Sequence, residues 1–275
     1  MIVLGGSSRQ ALLALRGALD EQLKGASSAE CTALSADLFK ALGAVGSSVG
    51  LRRALTDPAR DHASKTALIN DLFGSQIGAK AVSLLVSAAS FRWSSSSEIA
   101  DAIEQIAVEA EATAANGENA LDRVEEELFL FSRLIVTSNE LRLALNDRAD
   151  STDRKVALID SIFAAKAAPS TVRLLQALVG GTRGRSIEAA LSAFAHAVSA
   201  RRNRLVAVVR SVIALTPAQS EKLAASLTKQ VGQPVHINTE IDPSVLGGIE
   251  VRFADEIIDG TISNRLAEAS RALAV

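Results

Sequence analysis

The chain has 275 residues, a formal net charge of −2 and a single cysteine. Hydrophobic residues make up 48% of it, yet aromatic residues only 3%, and there is no tyrosine. The near-neutral charge excludes a general electrostatic attraction to nucleic acid or to an anionic membrane, and one cysteine excludes an internal disulfide framework. No apolar run approaches the roughly 20 residues of a membrane-spanning helix. The composition therefore predicts helices packed on small aliphatic side chains.

An internal repeat covers much of the chain. Residues 51–73 match residues 141–163 at an offset of 90, with 11 of 23 positions identical, where average composition would give roughly two by chance. At the same offset, Leu38-Phe39 falls on Leu128-Phe129. Because there are only two copies, the pattern indicates a duplicated helical unit and not a solenoid.

Each copy is predicted to be a series of amphipathic helices. In the second copy, the first predicted helix of the series has an apolar stripe from Leu121 to Ile135, and a short helix capped by Ser138 or Asn139 follows it. A third helix is capped near Ser151. The last two helices run from Pro169 to Gly180-Gly181 and from Ile187 to Arg201–Arg204. In the first copy, Cys31 lies 90 positions before Leu121. This places it on the equivalent stripe and predicts a buried core thiol.

The joint between the copies is predicted to be a single shared helix. The segment from Glu98 to Ala115 is where both the first helix of the second copy and the last helix of the first copy belong. The serine run from Ser94 to Ser97 leaves a flexible linker as the alternative. The predicted domains are an extra N-terminal helical unit at 1–97, a helical bundle at 98–204 and a small α+β domain at 205–275.

After Arg204 the periodicity changes from helical to strand-like. Strands are predicted over Leu205–Ala214, Val235–Ile241 and Ile249–Phe253, with a helix from Thr216-Pro217 between the first two. Turns are predicted at Asp242-Pro243-Ser244 and Asp259-Gly260, followed by a last helix that carries Leu266. Gly247-Gly248 allows a bulge or a close backbone approach. The fold class is therefore α+β but mostly α, with tandem helical-bundle units before a small α+β C-terminal domain.

The C-terminal stretch resembles a family signature. Its residues are Asp242-Pro243-Ser244-Val245-Leu246-Gly247-Gly248, then Ile258-Asp259-Gly260-Thr261-Ile262, then Arg265-Leu266. In order and spacing, this is similar to the delta subunit of F-type ATP synthases, the family of the oligomycin-sensitivity-conferring protein. The departures are Val245-Leu246 for Leu-Ile, Thr261-Ile262 for Ser-Val, and Phe253-Ala254 where a glycine is common. The family's usual extent corresponds to about Glu98–Val275, and the extra N-terminal part resembles the longer actinobacterial form.

The resemblance implies a non-catalytic connector of the peripheral stalk. Such a subunit links the alpha subunits of the catalytic head to subunit b and resists rotational torque, so that proton flow is coupled to ATP synthesis. It implies that the helical bundle binds an N-terminal alpha helix, that the C-terminal domain holds the C-terminal helices of subunit b, and that the chain lies at the cytoplasmic face of the cell membrane as a peripheral protein. The mycobacterial version carries a fused membrane-anchored stalk segment. No such segment is present here, so the resemblance implies a separate subunit b.

The family's helix-in-groove binding lies between the first and fifth helices of the bundle. Carried onto this chain, the groove is formed by Ile99, Ile103, Ile106, Val172, Leu175 and Val179. The same residues could equally be plain core. The first copy offers a second candidate groove, formed by Leu12 and Leu15 against Val82 and Val86.

Two charged patches are candidate partner surfaces. An acidic patch comprises Glu98, Asp101, Glu104, Glu109, Glu111, Glu118 and Glu125 to Glu127, and a basic one comprises Arg183, Arg185, Arg201, Arg202, Arg204 and Arg210. Each is either a docking rim that sets register and on-rate or a solvated face.

An enzyme is the alternative function, with a site in the C-terminal domain around Asp242, Gly247-Gly248 and Asp259. It has little support. Asp242, Asp255 and Asp259 are predicted to lie in turns, where aspartate is favoured by its own backbone hydrogen bonds, and His62, His196 and His236 lack metal-ligand spacing. There is no nucleophile elbow or phosphate loop, and helix ends account for the glycines of residues 180–185, although an anion site remains open there. No catalytic residue, metal or cofactor is predicted.

Overall fold

The computed structural model describes residues 5–147, 149–231, 235–242, 245, 247–253 and 256–259. The chain divides into two compact units, the first ending at Ser199 and the second beginning at Ala200. The helices of the first unit are α1 (Gly6–Leu23), α2 (Ser28–Ser47), α3 (Val49–Thr56), α4 (His62–Phe73), α5 (Ala79–Ser90), α6 (Glu98–Gly117), α7 (Leu121–Thr137), α8 (Asn139–Asn146), α9 (Thr152–Phe163), α10 (Pro169–Gly180) and most of α11 (Ile187–Leu205).

Equivalent helices of the two copies are capped at equivalent positions. Ser48 and Ser138 cap α3 and α8 by accepting from the amides of Leu51 and Leu141, and Asp61 and Ser151 cap α4 and α9 in the same way. An acidic residue of the second helix also binds the start of the fifth helix in each copy. The amide of Gly78 donates to Asp37 at 2.8 Å, and the amide of Ala168 donates to Glu127 at 2.9 Å. The predicted helices of the second copy are confirmed.

Helix α6 is shared by the two copies, as predicted. Its side chains from Ile99 to Asn116 are all buried except Asp101, which is partly exposed. One face, with Ile103 and Ile106, belongs to the core of the first copy, and another, with Val108 and Ala112, belongs to the core of the second. Alanines let neighbouring helices approach α6 closely. One continuous helix is therefore the common wall of two bundles.

The second unit contains a four-stranded sheet in the order β2-β1-β3-β4. Its elements are β1 (Val206–Ser211), α12 (Pro217–Val231), β2 (His236–Ile241), β3 (Ile249–Phe253) and β4 (Glu256–Asp259). β1 is parallel to β2, with α12 as the crossover between them, and antiparallel to β3. The core of this unit comprises Ala207, Val209, Leu227, Val235 and Val251.

Two predictions for this unit need correction. Asp259 is the last residue of β4 and pairs with Glu250 of β3, so it does not lie in a turn. β4 was missed because its four residues show no alternation. The first strand also ends at Ser211, before the apolar residues Val212 and Ile213, which are exposed. Pro243, Gly260, Arg265 and Leu266, with the predicted last helix, lie outside the described residues.

The mostly helical α+β fold class is confirmed. The predicted boundary between the two copies falls inside the first compact unit, where α6 belongs to both. The boundaries 1–97, 98–204 and 205–275 stay a prediction.

Candidate partner-docking surfaces

The six predicted groove residues all lie in the packed interior. None is more than 9% exposed, and three of them, on α6, are completely buried. Ile99, Ile103 and Ile106 belong to the first hydrophobic core, whereas Leu175 and Val179 belong to the second. The structure therefore brings them to neighbouring helices but not to one open surface. Their binding to a partner helix stays a prediction.

Helix α2 lies alongside both α6 and α10. The hydroxyl of Ser35 donates to the carbonyl of Ala107 on α6 at 2.8 Å. Arg173 of α10 reaches Thr32 of α2 at 3.5 Å, and the Phe39 ring stacks on Phe194 of α11 with centroids 5.8 Å apart. Helix α2 thus covers α6, whereas a cavity of about 390 Å³, with walls that include Phe39, Gly46 and Ala177, lies between α2 and α10.

The second predicted groove, in the first copy, is also mostly closed. Leu12 is 7% exposed and Leu15 is completely buried. Val82 and Val86 are partly buried and pack against the same core. The exposed apolar residue of α1 is Leu13, at 54%.

The centre of the predicted acidic patch is an internal ion-pair network, so the patch is not a docking surface there. Glu104 on α6 is 2% exposed and pairs with Arg183 at 2.9 Å and with Arg185 at 2.6 Å. Arg183 also pairs with Asp101 at 2.7 Å. The acidic and basic patches therefore neutralise each other in part. Burying a carboxylate is costly unless it is paired and hydrogen-bonded, which explains why both arginines of the 180–185 loop turn towards α6.

Two further carboxylates of α6 are paired in the same way. Glu109 is completely buried and pairs with Arg16 of α1 at 2.6 Å. Glu111 is 1% exposed and pairs with Arg173 of α10 at 2.7 Å. The prediction of an exposed acidic face was wrong here because a helix shared by two bundles has no solvent face. The partners lie between 62 and 93 residues away along the chain, which a local charge pattern does not reveal.

The arginine loop also has an unusual backbone. Arg183 has a φ of 52° and Gly184 one of 81°. A positive φ is uncommon for a residue with a side chain. The two carboxylates that hold Arg183 stabilise this conformation. The carboxylates of α6 thus pair with both arginines of the loop.

An apolar groove between α7 and α11 escaped the sequence analysis. It is a cavity of about 430 Å³ whose walls include Leu128, Phe129, Val136, Leu191 and Val198. Phe129 is 61% exposed and Val136 is 75% exposed. A signal was present, because these two residues are seven positions apart and so lie on one helical face next to the buried stripe.

The described residues of the C-terminal signature have a structural role. Gly247 and Gly248 have φ values of 80° and 85°, the left-handed region that favours glycine. The amide of Asp242 donates to the carbonyl of Ser211 at 3.0 Å, and the amide of Val245 donates to the carbonyl of Asp242 at 3.2 Å. These contacts connect the end of β2 to the end of β1 and form the turn before β3.

Cys31 is 2% exposed in the first core, as predicted. Within the part of the chain that the structure describes, no group of three or more histidine, cysteine or acidic residues is placed to hold a metal ion. Over the same residues, no helix is both long and apolar enough to cross a membrane.

The chain is therefore a duplicated helical bundle, with buried charges paired inside it, followed along the sequence by a small α+β unit. The family model described as "ATP synthase delta (OSCP) subunit" matches residues 108–273. "ATP synthase subunit delta" of Streptomyces coelicolor is 41% identical over 269 residues, which cover 98% of each chain. The proteins of the same name from Streptomyces griseus and Kineococcus radiotolerans are 41% and 39% identical and cover 98% of this chain.

The chain therefore belongs to the ATP synthase delta (OSCP) subunit family. It is a non-catalytic, structural member of an ATP synthase, and the alternative of a small-molecule enzyme is set aside. Because these actinobacterial relatives align along nearly their whole length, the duplicated helical unit is a property that they share with this chain.

Proposed function

We propose that this chain is a connector of the peripheral stalk. In this role it links the alpha subunits of the catalytic head to subunit b and resists torque, so that proton flow remains coupled to ATP synthesis. The observation that carries the proposal is the alignment over 98% of the chain with proteins named ATP synthase subunit delta.

The construction of the first unit suits a part that must not bend. Helix α6 runs for 20 residues and is a wall of both helical cores. Arg16 binds it from α1, and Arg173 binds it from α10. A hinge between the copies would require this helix to break and its buried carboxylates to lose their partners, which is costly. The two copies therefore transmit force as one body.

The proposed division of labour follows the two units. The helical unit binds N-terminal helices of alpha subunits, and the α+β unit holds the C-terminal helices of subunit b. The chain thereby lies at the cytoplasmic face of the cell membrane as a peripheral protein, through its contact with subunit b.

Binding of an alpha helix at the α6 and α10 stretches would require α2 to move away. Leu175 is 1% exposed, so Leu175→Asp would bury a charge in the core and unfold the chain. That variant cannot separate binding from folding. Variants at exposed positions are needed to map the binding surface.

The test is a calorimetric titration of the full chain with two peptides. One is the N-terminal helix of the cognate alpha subunit, and the other is the C-terminal helical segment of the cognate subunit b. The proposal predicts sub-micromolar binding of both, to separate sites that do not compete. If the chain is folded by circular dichroism and binds neither peptide, the proposal is wrong.

A further inference from the structure

A basic cavity in the first copy lies where α3 and α5 end and α4 begins. Its volume is about 550 Å³, which is within the range of small-molecule sites in proteins. Four basic side chains and two aromatic ones line it, namely Arg60, His62, Lys65, Arg92, Phe91 and Trp93. No aspartate or glutamate is among the described residues of its wall. The cavity therefore has the electrostatic character of an anion site.

The exposed basic side chains of this cavity have no partner within the part of the chain that the structure describes. Arg60, His62 and Arg92 make no side-chain hydrogen bond and no ion pair there. The neighbouring carboxylates of Asp57 and Asp61 each accept a hydrogen bond from a backbone amide two or three residues further along the chain. These carboxylates thus stabilise the loop between α3 and α4 and the start of α4, and they leave the arginines available.

Lys65 is the buried cation of the cavity, at 7% exposure. Its ammonium donates to the carbonyl of Ala89 at 3.0 Å. An ammonium has three donors, and among the described residues Lys65 makes no second hydrogen bond and no ion pair. Burial lowers the pKa of Lys65 from its ordinary value, Asp57 acts to raise it, and Arg60 lowers it further. A bound anion would supply both an acceptor and a counter-charge.

The second copy shows that the shared fold does not require this basic cavity. At the offset of 90, the two exposed arginines and the histidine are replaced, and the residues in their place are Asp150, Thr152 and Thr182. Asp150 pairs with Arg154 of α9 at 3.5 Å, so the second copy neutralises its own charge here. Helices α4 and α9 are nevertheless capped in the same way. The cations of the first copy thus add a property to the helical unit without being needed to build it.

We propose that this cavity binds a small molecule that carries phosphate. Phosphate oxygens accept several charge-assisted hydrogen bonds at once, and Lys65, Arg60 and Arg92 supply the donors. The aromatic side of the wall suits a flat ring next to the phosphate, such as a nucleobase. There, the indole nitrogen of Trp93 donates to the carbonyl of Ala88 at 2.8 Å, which holds the ring in place. This inference goes beyond the connector function and does not depend on it.

The test uses the full chain and its own fluorescence. Trp93 is the only tryptophan of the sequence and lines the cavity, so its emission reports binding directly. The chain is titrated at constant ionic strength with inorganic phosphate, pyrophosphate and ADP, and calorimetry provides a second readout. We expect at least one of them to bind with a Kd below about 1 mM. Lys65→Met should weaken that binding at least about tenfold, and Arg92→Gln about fivefold.

The matched control is Arg53→Gln, which removes an exposed arginine of α3 outside the cavity and should bind like the wild type. Circular dichroism checks the fold of each variant. Because Arg92 is exposed, Arg92→Gln is decisive even if Lys65→Met does not fold.

The three probes also identify the part of the ligand that is recognised. Equal affinities for pyrophosphate and ADP would support a site for the phosphates alone, and tighter binding of ADP would support a site that also uses the aromatic wall. Failure of the wild type to bind any of the three, or binding that Arg92→Gln leaves unchanged, would overturn the proposal. If a polyglutamate peptide binds and the three phosphates do not, the cavity is a docking site for an acidic protein segment and the proposal is wrong. The connector function is tested separately, by the binding of partner peptides.

Discussion

The two copies of the helical unit have the same helices and caps, but their second helices have different neighbours. In the first copy, α2 packs on α6 through Ser35 and contacts α10 through Thr32 and Arg173, with a cavity of about 390 Å³ between α2 and α10. In the second copy, α7 and α11 share a core and a hydrogen bond between Ser199 and Glu125, and an apolar groove runs between them on the outer side. The second helix of the first copy thus contacts the other copy, whereas the second helix of the second copy borders an open groove.

The largest effect is expected from removal of Glu104, the carboxylate of α6 that both arginines of the 180–185 loop bind. Glu104→Ala deprives Arg183 and Arg185, which are 15% and 22% exposed, of a common partner. Breaking a buried ion pair costs about 3–5 kcal/mol, and we expect that loss in urea unfolding of the full chain. The control is Arg154→Ala, which removes a surface pair whose arginine is 82% exposed and should cost less than about 1 kcal/mol. Equal losses in the two variants would contradict the network.

Equivalent leucines test whether the two second helices are packed differently. Leu38 and Leu128 are 0% and 1% exposed, but only Leu128 borders the groove. Truncation of a buried leucine costs about 2–5 kcal/mol, and more where the surroundings leave an empty cavity. We expect Leu38→Ala near the upper end and Leu128→Ala near the lower end, as measured by chemical denaturation. If Leu128→Ala were the more costly change, α7 would not border an open groove.

Substitutions at the equivalent positions Gly46 and Val136 test how tightly the outer side of the second helix is packed in each copy. Gly46→Val forces its side chain against Arg183, and overpacking of this kind costs about 1–3 kcal/mol. Val136→Ala changes a side chain that is 75% exposed, so its effect should stay within about 0.5 kcal/mol. Thermal unfolding of both variants measures the difference. A neutral Gly46→Val would show that Arg183 moves into the cavity beside it without cost.

The smallest expected effect is a pH dependence at the start of α10. Burial acts to raise the pKa of Glu127, but hydrogen bonds from Thr171, Ala168 and Arg123 outweigh it and hold the pKa below its ordinary value of 4.5. A lowered folded-state pKa gives stability that is complete above pH 4.5 and is lost as the pH falls through the folded value. Glu127→Gln should cost on the order of 1 kcal/mol at neutral pH and should reduce the loss of stability as the pH falls below 4.5. If urea unfolding shows the same loss of stability at acid pH in the variant as in the wild type, the role of Glu127 is refuted.

The sequence predicted those features that depend on local pattern. The stripe from Leu121 to Ile135, the cap at Ser151 and the shared helix from Glu98 all followed from periodicity, capping residues and the repeat offset. Membership of the family followed from the C-terminal signature. The described part of that signature positions the turn before β3, which explains why its glycines must be glycines.

The remaining features depend on contacts between distant residues. The pairing of Glu104 with Arg183 and Arg185 joins positions 79 and 81 residues apart, so a helical charge pattern cannot distinguish it from an exposed acidic face. The exposure of Phe129 depends on whether another helix lies over α7, and its equivalent Phe39 stacks on Phe194. The same residue type at the same repeat position is partly buried in one copy and exposed in the other.

The most direct test of this difference is site-specific photo-crosslinking in the assembled ATP synthase. A benzophenone amino acid is introduced in place of Phe129 in one preparation and in place of Val49 in a control. The account predicts a crosslink from position 129 to another subunit of the ATP synthase, identified by mass spectrometry, and none from position 49. A crosslink from position 129 only to the chain itself, or to no subunit at all, would contradict it.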